Sequence, residues 1–422
     1  MLLRKYLFFL LWPYSLWAYE SINLLDNGFA NYFPGTYMGY AIDKHDNSMV
    51  NHVLSEKPDF LSVYGWVNPS YNGSNANHSN LPSGFAIIPN QVEMNQSSLV
   101  FQKHLDTQQK DHADFGFKIV NWWGTDYRFS TMQGIFSQQL LQENLLYGYD
   151  MPEAFMEFYL PDWGQGSLVT LGRYQARGDV ESLLATDNYL VSHSIPYNVS
   201  AFTQFGININ TMLNEQWSSI VGLHSGSDIA PWGDSAIPTF MGFLKWISLC
   251  KMDSVLFGVS SLNNGQYRND HDNLQQFNSI WTHRFNEHLY MQTEGYYEYQ
   301  FNARLGGTSI FGPIEPYGGG LGERPIIPGY SGSIGLMNYL EYGIAERNLI
   351  SFRADYLNDF QGQRTGYATQ YIGVTLGWTH LLADVWKIRP EIRYVTSAGL
   401  TPFDNGTQNH LLMGLIDFVV MI

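Results

Sequence analysis

Stretches in which apolar and polar side chains alternate recur along most of the chain. In WKIRPEIRYV, residues 386–395, the charged residues Lys387, Arg389, Glu391 and Arg393 alternate with apolar or aromatic ones. Because successive side chains of a strand point to opposite faces, this pattern predicts a half-buried strand and not a helix. Two surroundings fit the pattern: a soluble sandwich with an apolar core, or a membrane barrel with lipid outside and water inside.

The same alternation predicts sixteen strands. They lie near residues 60–72, 91–105, 112–128, 150–161, 166–177, 199–213, 215–226, 238–251, 253–264, 273–285, 288–302, 331–345, 347–360, 369–383, 385–397 and 409–422. No single strand distinguishes a sandwich from a barrel, so the connections between the strands have to decide.

Short and long connections alternate along the chain. The short turns are 106–111, 161–166, 214–215, near 253, 286–287, 346–347 and near 384, and the long connections are 73–90, 129–149, 178–198, 227–237, 265–272, 303–330, 361–368 and 398–408. Sixteen antiparallel strands need seven short and eight long connections if both ends of the barrel chain lie on the short-turn side. Outer-membrane barrels sort their connections in this way, with short periplasmic turns and long external loops. The predicted fold is therefore all-β, a closed transmembrane antiparallel β-barrel of about sixteen strands.

The composition limits the domain count and the partners. Only 14% of the 422 residues are charged, and the formal net charge is -16. This acidic balance argues against nucleic acid as a partner, because phosphate binding needs a basic face. The single cysteine, Cys250, excludes an internal disulfide framework. No linker or change of composition marks a boundary, so residues 60–422 are predicted to form one barrel domain.

The first 18 residues have the pattern of an export signal. Arg4 and Lys5 precede a short apolar run, and the small residues Ser15 and Ala18 follow it. The run is too short to span a bilayer, which takes about 20 apolar residues. The prediction is an exported protein with a signal peptide at 1–18. Residues 19–59 are expected to be either a periplasmic extension or a segment that enters the lumen.

Two residues disturb the lipid-facing pattern. Pro390 removes a ladder donor inside a predicted strand, and we interpret it as a local bulge or a position near the membrane border. Asn338 lies among the apolar residues of its segment, and the sequence offers no explanation for it.

Six segments, in this order, carry a family resemblance: WWGTDYRFS (122–130), MPEAFMEFYL (151–160), VTLGRYQARGDVES (169–182), ATDNYLVSHSIPYN (185–198), LNEQWSSIVGLHSG (213–226) and IRPEIRYVTSAGLTPFDNGTQNHLLMGLIDFV (388–419). Together they resemble the OmpL-like family of outer-membrane β-barrel porins. The resemblance implies the outer membrane of a Gram-negative bacterium, with its lipid and its assembly machinery as partners, and a diffusion channel for small hydrophilic solutes or ions. It supplies no ligand residues. Ile422 departs from the aromatic residue that commonly ends such barrels.

A barrel of this size encloses a water-filled channel, whose selectivity depends on rings of charge and on inward loops. Strand parity places nine charged candidate pore-lining residues on the inner face: Lys118, Glu157, Arg173, Glu298, Arg353, Asp355, Arg389, Glu391 and Arg393. Their mixed signs predict either a transverse field at a constriction or a merely hydrated and stiffened inner wall. Passive permeation needs no catalytic group, so we predict a channel and not an enzyme, with no cofactor and no metal.

Two long loops are candidates for narrowing the channel. Residues 129–149 contain Ile135, Leu140, Leu141 and Leu145 at a spacing that predicts a short helix packed against the wall, and this loop is the expected inward constriction. Residues 303–330 are long for a structureless loop and are the expected external lid.

Two other functions stay open from the sequence alone. The long loops could bind a surface ligand, as in an adhesion barrel. A barrel enzyme could use His193 and Ser194 with Asp187 nearby, although adjacency in sequence is not the geometry that a nucleophile and its base need. A homotrimer is compatible with a pore of this size.

Overall fold

The computed structural model describes residues 61–422 except 108–109, 287, 308–324, 346 and 384. The predicted signal peptide, the segment 19–59 and most of the predicted lid lie outside the described residues.

Sixteen antiparallel strands close into one barrel, which confirms the predicted fold and every predicted strand. The strands are β1 Ser62–Ser74, β2 Gln91–Lys103, β3 Asp114–Gly124, β4 Gly148–Leu160, β5 Ser167–Gln175, β6 Thr203–Met212, β7 Trp217–Ser227, β8 Thr239–Ile247, β9 Asp253–Leu262, β10 Gln275–Arg284, β11 Leu289–Phe301, β12 Tyr330–Ala345, β13 Asn348–Asp359, β14 Thr369–Ala383, β15 Trp386–Ser397 and β16 His410–Met421. Each strand pairs with its neighbours in chain order, and β16 closes on β1 from Trp66↔Met421 to Ser74↔Met413. Closure leaves no unpaired edge, which is what a sheet in lipid requires.

The two faces of the sheet differ as the alternation predicts. On β15, Ile392 is 55% exposed on the outer face, whereas the neighbouring Arg393 is fully buried on the inner face. The outer face carries large exposed apolar and aromatic side chains on nearly every strand. An apolar outside and a charged inside are the pattern of a barrel that lies in lipid.

The connections alternate in length as predicted. The long loops, all at one end of the barrel, are L1 75–90, L2 125–147, L3 176–202, L4 228–238, L5 263–274, L6 302–329, L7 360–368 and L8 398–409. Among the described residues, three short α-helices lie in two of these loops: α1 Tyr127–Ser130 and α2 Ser137–Gln142 in L2, and α3 Ile195–Val199 in L3. No helix among the described residues is long and apolar enough to cross a membrane.

The two disturbing residues have simple local explanations. Pro390 pairs with Ile416 of β16, while the ladder to β14 skips the positions opposite Pro390 and Arg389 without a change of register. The proline therefore leaves a gap in the ladder, and the predicted bulge is wrong. Asn338 lies on the outer face and donates to the Thr293 hydroxyl across β11 and β12 at 2.7 Å, which pairs its amide without water.

Candidate constriction inside the barrel

Loop L3 crosses the interior of the barrel. It joins β5 to β6, yet Gln96 of β2 donates to the Leu183 carbonyl at 2.7 Å, and Thr379 of β14 donates to the Tyr189 carbonyl at 2.6 Å. On another side, the Val180 N–H donates to Glu294 of β11 at 2.6 Å. A segment that contacts strands on several sides of a closed barrel must lie within it.

The sequence of L3 contains the local signals for its own shape. The Asn188 amide donates to the carbonyls of Ser182 and Leu184 at 2.7 and 3.0 Å, which closes a turn without strand pairing. Ser194 caps α3 by accepting a hydrogen bond from the Tyr197 N–H at 3.1 Å, and Pro196 lies in the first turn. The loop is therefore a folded element whose backbone groups find partners.

Arg353 on β13 is the central contact between the wall and L3. Its guanidinium pairs with Glu181 of the loop at 3.0 Å and donates to the Ser192 carbonyl at 2.6 Å and to the Ser192 hydroxyl at 2.9 Å. Tyr339 of β12 donates to the same carboxylate of Glu181 at 2.5 Å. All of these side chains are buried, so the interactions act in a medium of low dielectric constant.

Three alternate residues of β15 hold the backbone of L3. Lys387 donates to the Thr186 carbonyl at 2.7 Å, and Arg389 donates to the Asn188 carbonyl at 2.5 Å. Glu391 accepts from the Val191 N–H at 2.6 Å. One strand thus binds the loop with two cations and one anion in register.

The remaining charges of this region complete the network. Arg389 also pairs with Asp417 of β16 at 2.5 Å, and Arg393 pairs with Asp355 at 3.3 Å. Asp355 in turn accepts from the Ile195 N–H of L3 at 3.1 Å. We call the inner face of β13–β15 with these charges the basic wall. The five candidate residues of this wall that strand parity selects are brought together around the loop.

Three other sequence-predicted residues lie elsewhere on the inner face. Lys118 of β3 pairs with Glu153 of β4 at 2.8 Å. Glu157 of β4 lies opposite Thr170 of β5 and is partly exposed. Glu298 of β11 accepts from the Ser333 hydroxyl at 3.1 Å and is fully buried.

Arg173 is placed differently from the other candidates. It pairs with Asp150 at 2.9 Å and donates to the Met151 carbonyl at 2.6 Å. Its guanidinium also donates to the Ser130 carbonyl of α1 in L2, and Arg173, Asp150 and Ser130 are all fully buried. Asp150 lies opposite the buried Trp122, so the pair is on the inner side, although the ladder partners of Arg173 itself, Ala154 and Phe205, are partly exposed.

Sequence reasoning missed L3 as the crossing loop and missed the role of Lys387. Lys387 shares the parity of Arg389, which is the signal that could have found it. The loop that crosses the lumen is L3, not the predicted 129–149. The predicted helix does form as α2, but only Leu141 of its apolar residues is fully buried, and L2 bonds to L4 through the Gln133↔Ile229 bridge.

Loop L1 and α1 pack on L3 through aromatic rings. Phe85 of L1 stacks on Phe129 at 4.0 Å and on His193 of L3 at 3.9 Å between ring centroids. His193 also stacks on Tyr197 at 5.0 Å. Burial lowers the pKa of His193 to about 4, so the ring is neutral at neutral pH and packs as an aromatic group.

The residues of the hypothetical hydrolase site do not form a relay. The Ser194 hydroxyl donates to Glu181, His193 Nε2 lies 3.0 Å from the Ser182 carbonyl, and Asp187 accepts from Thr186 at 2.7 Å. Each group is engaged in holding L3 together. Within the described part of the chain, no group of three or more His, Cys, Asp or Glu residues could hold a metal ion.

The inner face of β10 and β11, which we call the acidic wall, meets L3 with carboxyl groups. Glu294 and Glu298 lie on it, and the Asp179 carboxyl of the loop lies within hydrogen-bonding range of Glu294. Burial and the nearby charge of Glu298 raise the pKa of Asp179 well above its ordinary value. At Glu181, burial would raise the pKa, but the charge of Arg353 and the hydrogen bonds from Ser194 and Tyr339 lower it below the ordinary value.

Comparison with known proteins gives a family and a set of similar folds. The family model described as "Putative beta-barrel porin-2, OmpL-like" matches residues 60–422. No curated protein matches the sequence. Among solved structures, the anion-selective porin from Comamonas acidovorans has a TM-score of 0.53 and 9% identity, and the match covers 86% of this chain and 99% of that one. The outer membrane channel DcaP of Acinetobacter baumannii has a TM-score of 0.52 and 10% identity, with 86% and 97% covered. OmpT of Vibrio cholerae has a TM-score of 0.50 and 8% identity, also with 86% and 97% covered.

Proposed function

Since the chain belongs to this OmpL-like porin family, we propose that its barrel is an outer-membrane diffusion channel that L3 narrows. The solutes are small hydrophilic molecules or ions, which cross without chemical change. Porins of the outer membrane act in this way, because a barrel of sixteen strands is wide enough to leave an aqueous path. A channel of this kind needs no catalytic group.

The observation that carries this proposal is the attachment of L3 across the lumen. A loop held at the basic wall by Arg353, Arg389 and Glu391 reduces the cross-section that a solute can use. The same charges act on any ion that passes beside the loop. Size selection and charge selection would then come from one element.

The charged inner residues are proposed to set ion preference together with L3. The candidates are Lys118, Glu157, Glu298, Arg353, Asp355, Arg389, Glu391 and Arg393. Selectivity of this kind depends on fixed charges at close range to the ion, where water screens them little. Arg173 stays a candidate as well: it is fully buried, and its guanidinium pairs with the buried Asp150.

The proposed assembly is a homotrimer in the outer membrane. One of the similar structures, OmpT of Vibrio cholerae, is described as a trimer form, with a TM-score of 0.50. A trimer would bury part of the apolar outer face against copies of the same chain. As the sequence predicts, residues 1–18 are proposed to be a signal peptide. Residues 19–59 are proposed to be a periplasmic or lumenal segment.

The test is conductance of the purified, folded protein in a planar bilayer. A porin gives discrete conductance steps, and a salt gradient then gives a reversal potential that reports ion preference. The double variant Arg389→Ala with Arg393→Ala should shift the reversal potential toward cations, because two positive charges leave the lumen. A barrel that inserts but never conducts would contradict the proposal, and binding of a surface ligand by its loops would then be the function to pursue.

A further inference from the structure

The contact between L3 and the acidic wall lacks the cations that the basic wall has. Val180 donates its N–H to Glu294 Oε2 at 2.6 Å, and Asn278 donates its amide to the Gly178 carbonyl at 3.1 Å. These two bonds place Asp179 beside Glu294, with the two carboxyl groups within hydrogen-bonding range of each other. The carboxyl of a loop therefore touches the carboxyl of a strand inside the barrel.

The surroundings of this pair are acidic. The charged groups that act on Asp179 are Glu294, Glu298 and Glu181. Arg353 is engaged by Glu181 at 3.0 Å. No ion pair among the described residues joins a lysine or an arginine to either member of the pair.

The neighbouring elements add no compensating charge. Tyr296 of β11 donates to the Pro196 carbonyl at 3.1 Å, and Tyr339 of β12 donates to Glu181. Arg177, at the start of L3, lies over the Tyr174 ring at 4.6 Å. The phenols are neutral, and the cations of the region have partners of their own.

One carboxyl oxygen of Glu294 lacks a hydrogen-bond donor in the described part of the chain. Glu294 is 1% exposed, and its Oε1 has no hydrogen-bond donor among the described residues. Two carboxylates at hydrogen-bond distance in a buried site cannot both be ionised, because each strongly raises the cost of the other charge. A single proton on the pair removes one charge and gives the orphaned oxygen a donor.

We propose that Asp179 and Glu294 hold one proton between them, and that this proton fastens L3 to the acidic wall. Loss of the proton leaves two adjacent carboxylates, which repel each other and release residues 178–181 from β10 and β11. The cross-section of the lumen then changes while Arg353 and β15 still hold the other side of the loop. The effect on conductance rests on the proposed channel function, but the proton site itself does not.

The experiment compares the folded full-length protein with two variants that imitate the protonated pair. Asp179→Asn and Glu294→Gln each keep the shape of the side chain and supply an N–H in place of the shared proton. The control is Glu143→Gln, which removes the same charge from the exposed surface of L2. Single-channel conductance and thermal unfolding in detergent are measured for all four proteins across the pH range from mildly acidic to alkaline.

The thermal stability of the wild type should fall as pH rises, and the loss of one proton should account for part of the slope of stability against pH. Its conductance should change over the same pH range. The population of released loop grows by up to about tenfold per pH unit once pH exceeds the midpoint of the pair. Both amide variants should lose that one-proton part, whereas Glu143→Gln should keep it. Amide variants that retain the full slope of the wild type would overturn the proposal, as would a wild type without the slope. If no protein conducts, the channel function fails while the unfolding curves still decide the proton site.

Discussion

The two walls that hold L3 use opposite means. On the basic wall, Arg353 and Arg389 meet carboxylates and backbone carbonyls, so every buried charge there has a partner. On the acidic wall, Asp179 and Glu294 meet each other without a cation, and we assign a proton to balance them. A buried charge is tolerated only when it is paired or neutralised, and this barrel shows both solutions on one loop.

The largest expected effect comes from breaking the basic wall at its centre. Arg353→Ala leaves Glu181 buried without its cation, which should cost about 3 to 5 kcal/mol in the local attachment of L3. Chymotrypsin should then cleave the folded barrel within L3, where Tyr189 and Tyr197 offer sites. The matched control is Arg304→Ala, since Arg304 pairs with the largely exposed Asp270 and such pairs contribute at most about 1 kcal/mol. Equal resistance of the wild type and Arg353→Ala to the protease would refute the central role of this arginine.

The next effect sharpens the comparison, because the two walls should respond to pH with opposite signs. The folded pKa of Glu181 is lowered, so its stabilisation is present above its ordinary pKa of about 4.3 and is lost as pH falls through the lower folded value. The folded pKa of Asp179 is raised, so its stabilisation is present at low pH and is lost as pH rises through the folded value. Cleavage of L3 by proteases suited to each pH should therefore be slowest between the two limits. Glu181→Gln should remove the rise on the acid side, whereas the alkaline side should remain but begin at a lower pH, because Glu181 is one of the charges that raise the pKa of Asp179.

A smaller effect is expected where a carboxylate binds the loop through backbone N–H groups alone. Glu391→Gln keeps an acceptor for the Val191 N–H but removes the charge, which should cost about 1 to 3 kcal/mol. Thermal unfolding in detergent measures the loss. The reversal potential of the same variant should move toward anions, since a negative charge leaves the basic wall. An unchanged reversal potential would mean that Glu391 does not act on the permeating ion.

The smallest effect concerns the internal structure of the loop and neither wall. Ser194→Ala removes the N-cap of α3 and should cost about 1 kcal/mol. The side chain also donates to Glu181, so Ser194→Asn, which keeps a capping oxygen, separates the two roles. If capping is what matters, unfolding of Ser194→Asn should resemble the wild type; if it resembles Ser194→Ala, the bond to Glu181 is the important one.

The barrel could be predicted from the sequence because the alternation of side chains along a strand is a local pattern. Alternation with a period of two, repeated in sixteen segments, and the alternating lengths of the connections both follow from a sheet closed between lipid and water. The inner-face placement of Arg353, Arg389 and Arg393 follows from the same pattern. Arg173 is fully buried as well, although its ladder partners Ala154 and Phe205 are partly exposed.

The attachment of L3 to the inner wall could not be predicted in the same way, because its contacts join residues far apart in the sequence. Glu181 and Arg353 are 172 positions apart, and L3 has no periodic pattern that would mark it as the crossing loop. The helix-like spacing in 129–149 drew attention to L2, yet that spacing predicts a helix and not the place where the helix lies. The residues that fasten L3 were visible as charges on β15, but their partner was not.

The most direct test of this account is the single-channel conductance of a variant in which residues 180–192 are replaced by a short Gly/Ser linker. The strands and the other loops of the barrel stay unchanged, so the protein should still insert and give steps. If L3 sets the width of the pathway, each step of the variant should be clearly larger than that of the wild type, and larger neutral solutes should enter liposomes that contain it. Steps of the same size in both proteins would contradict the account.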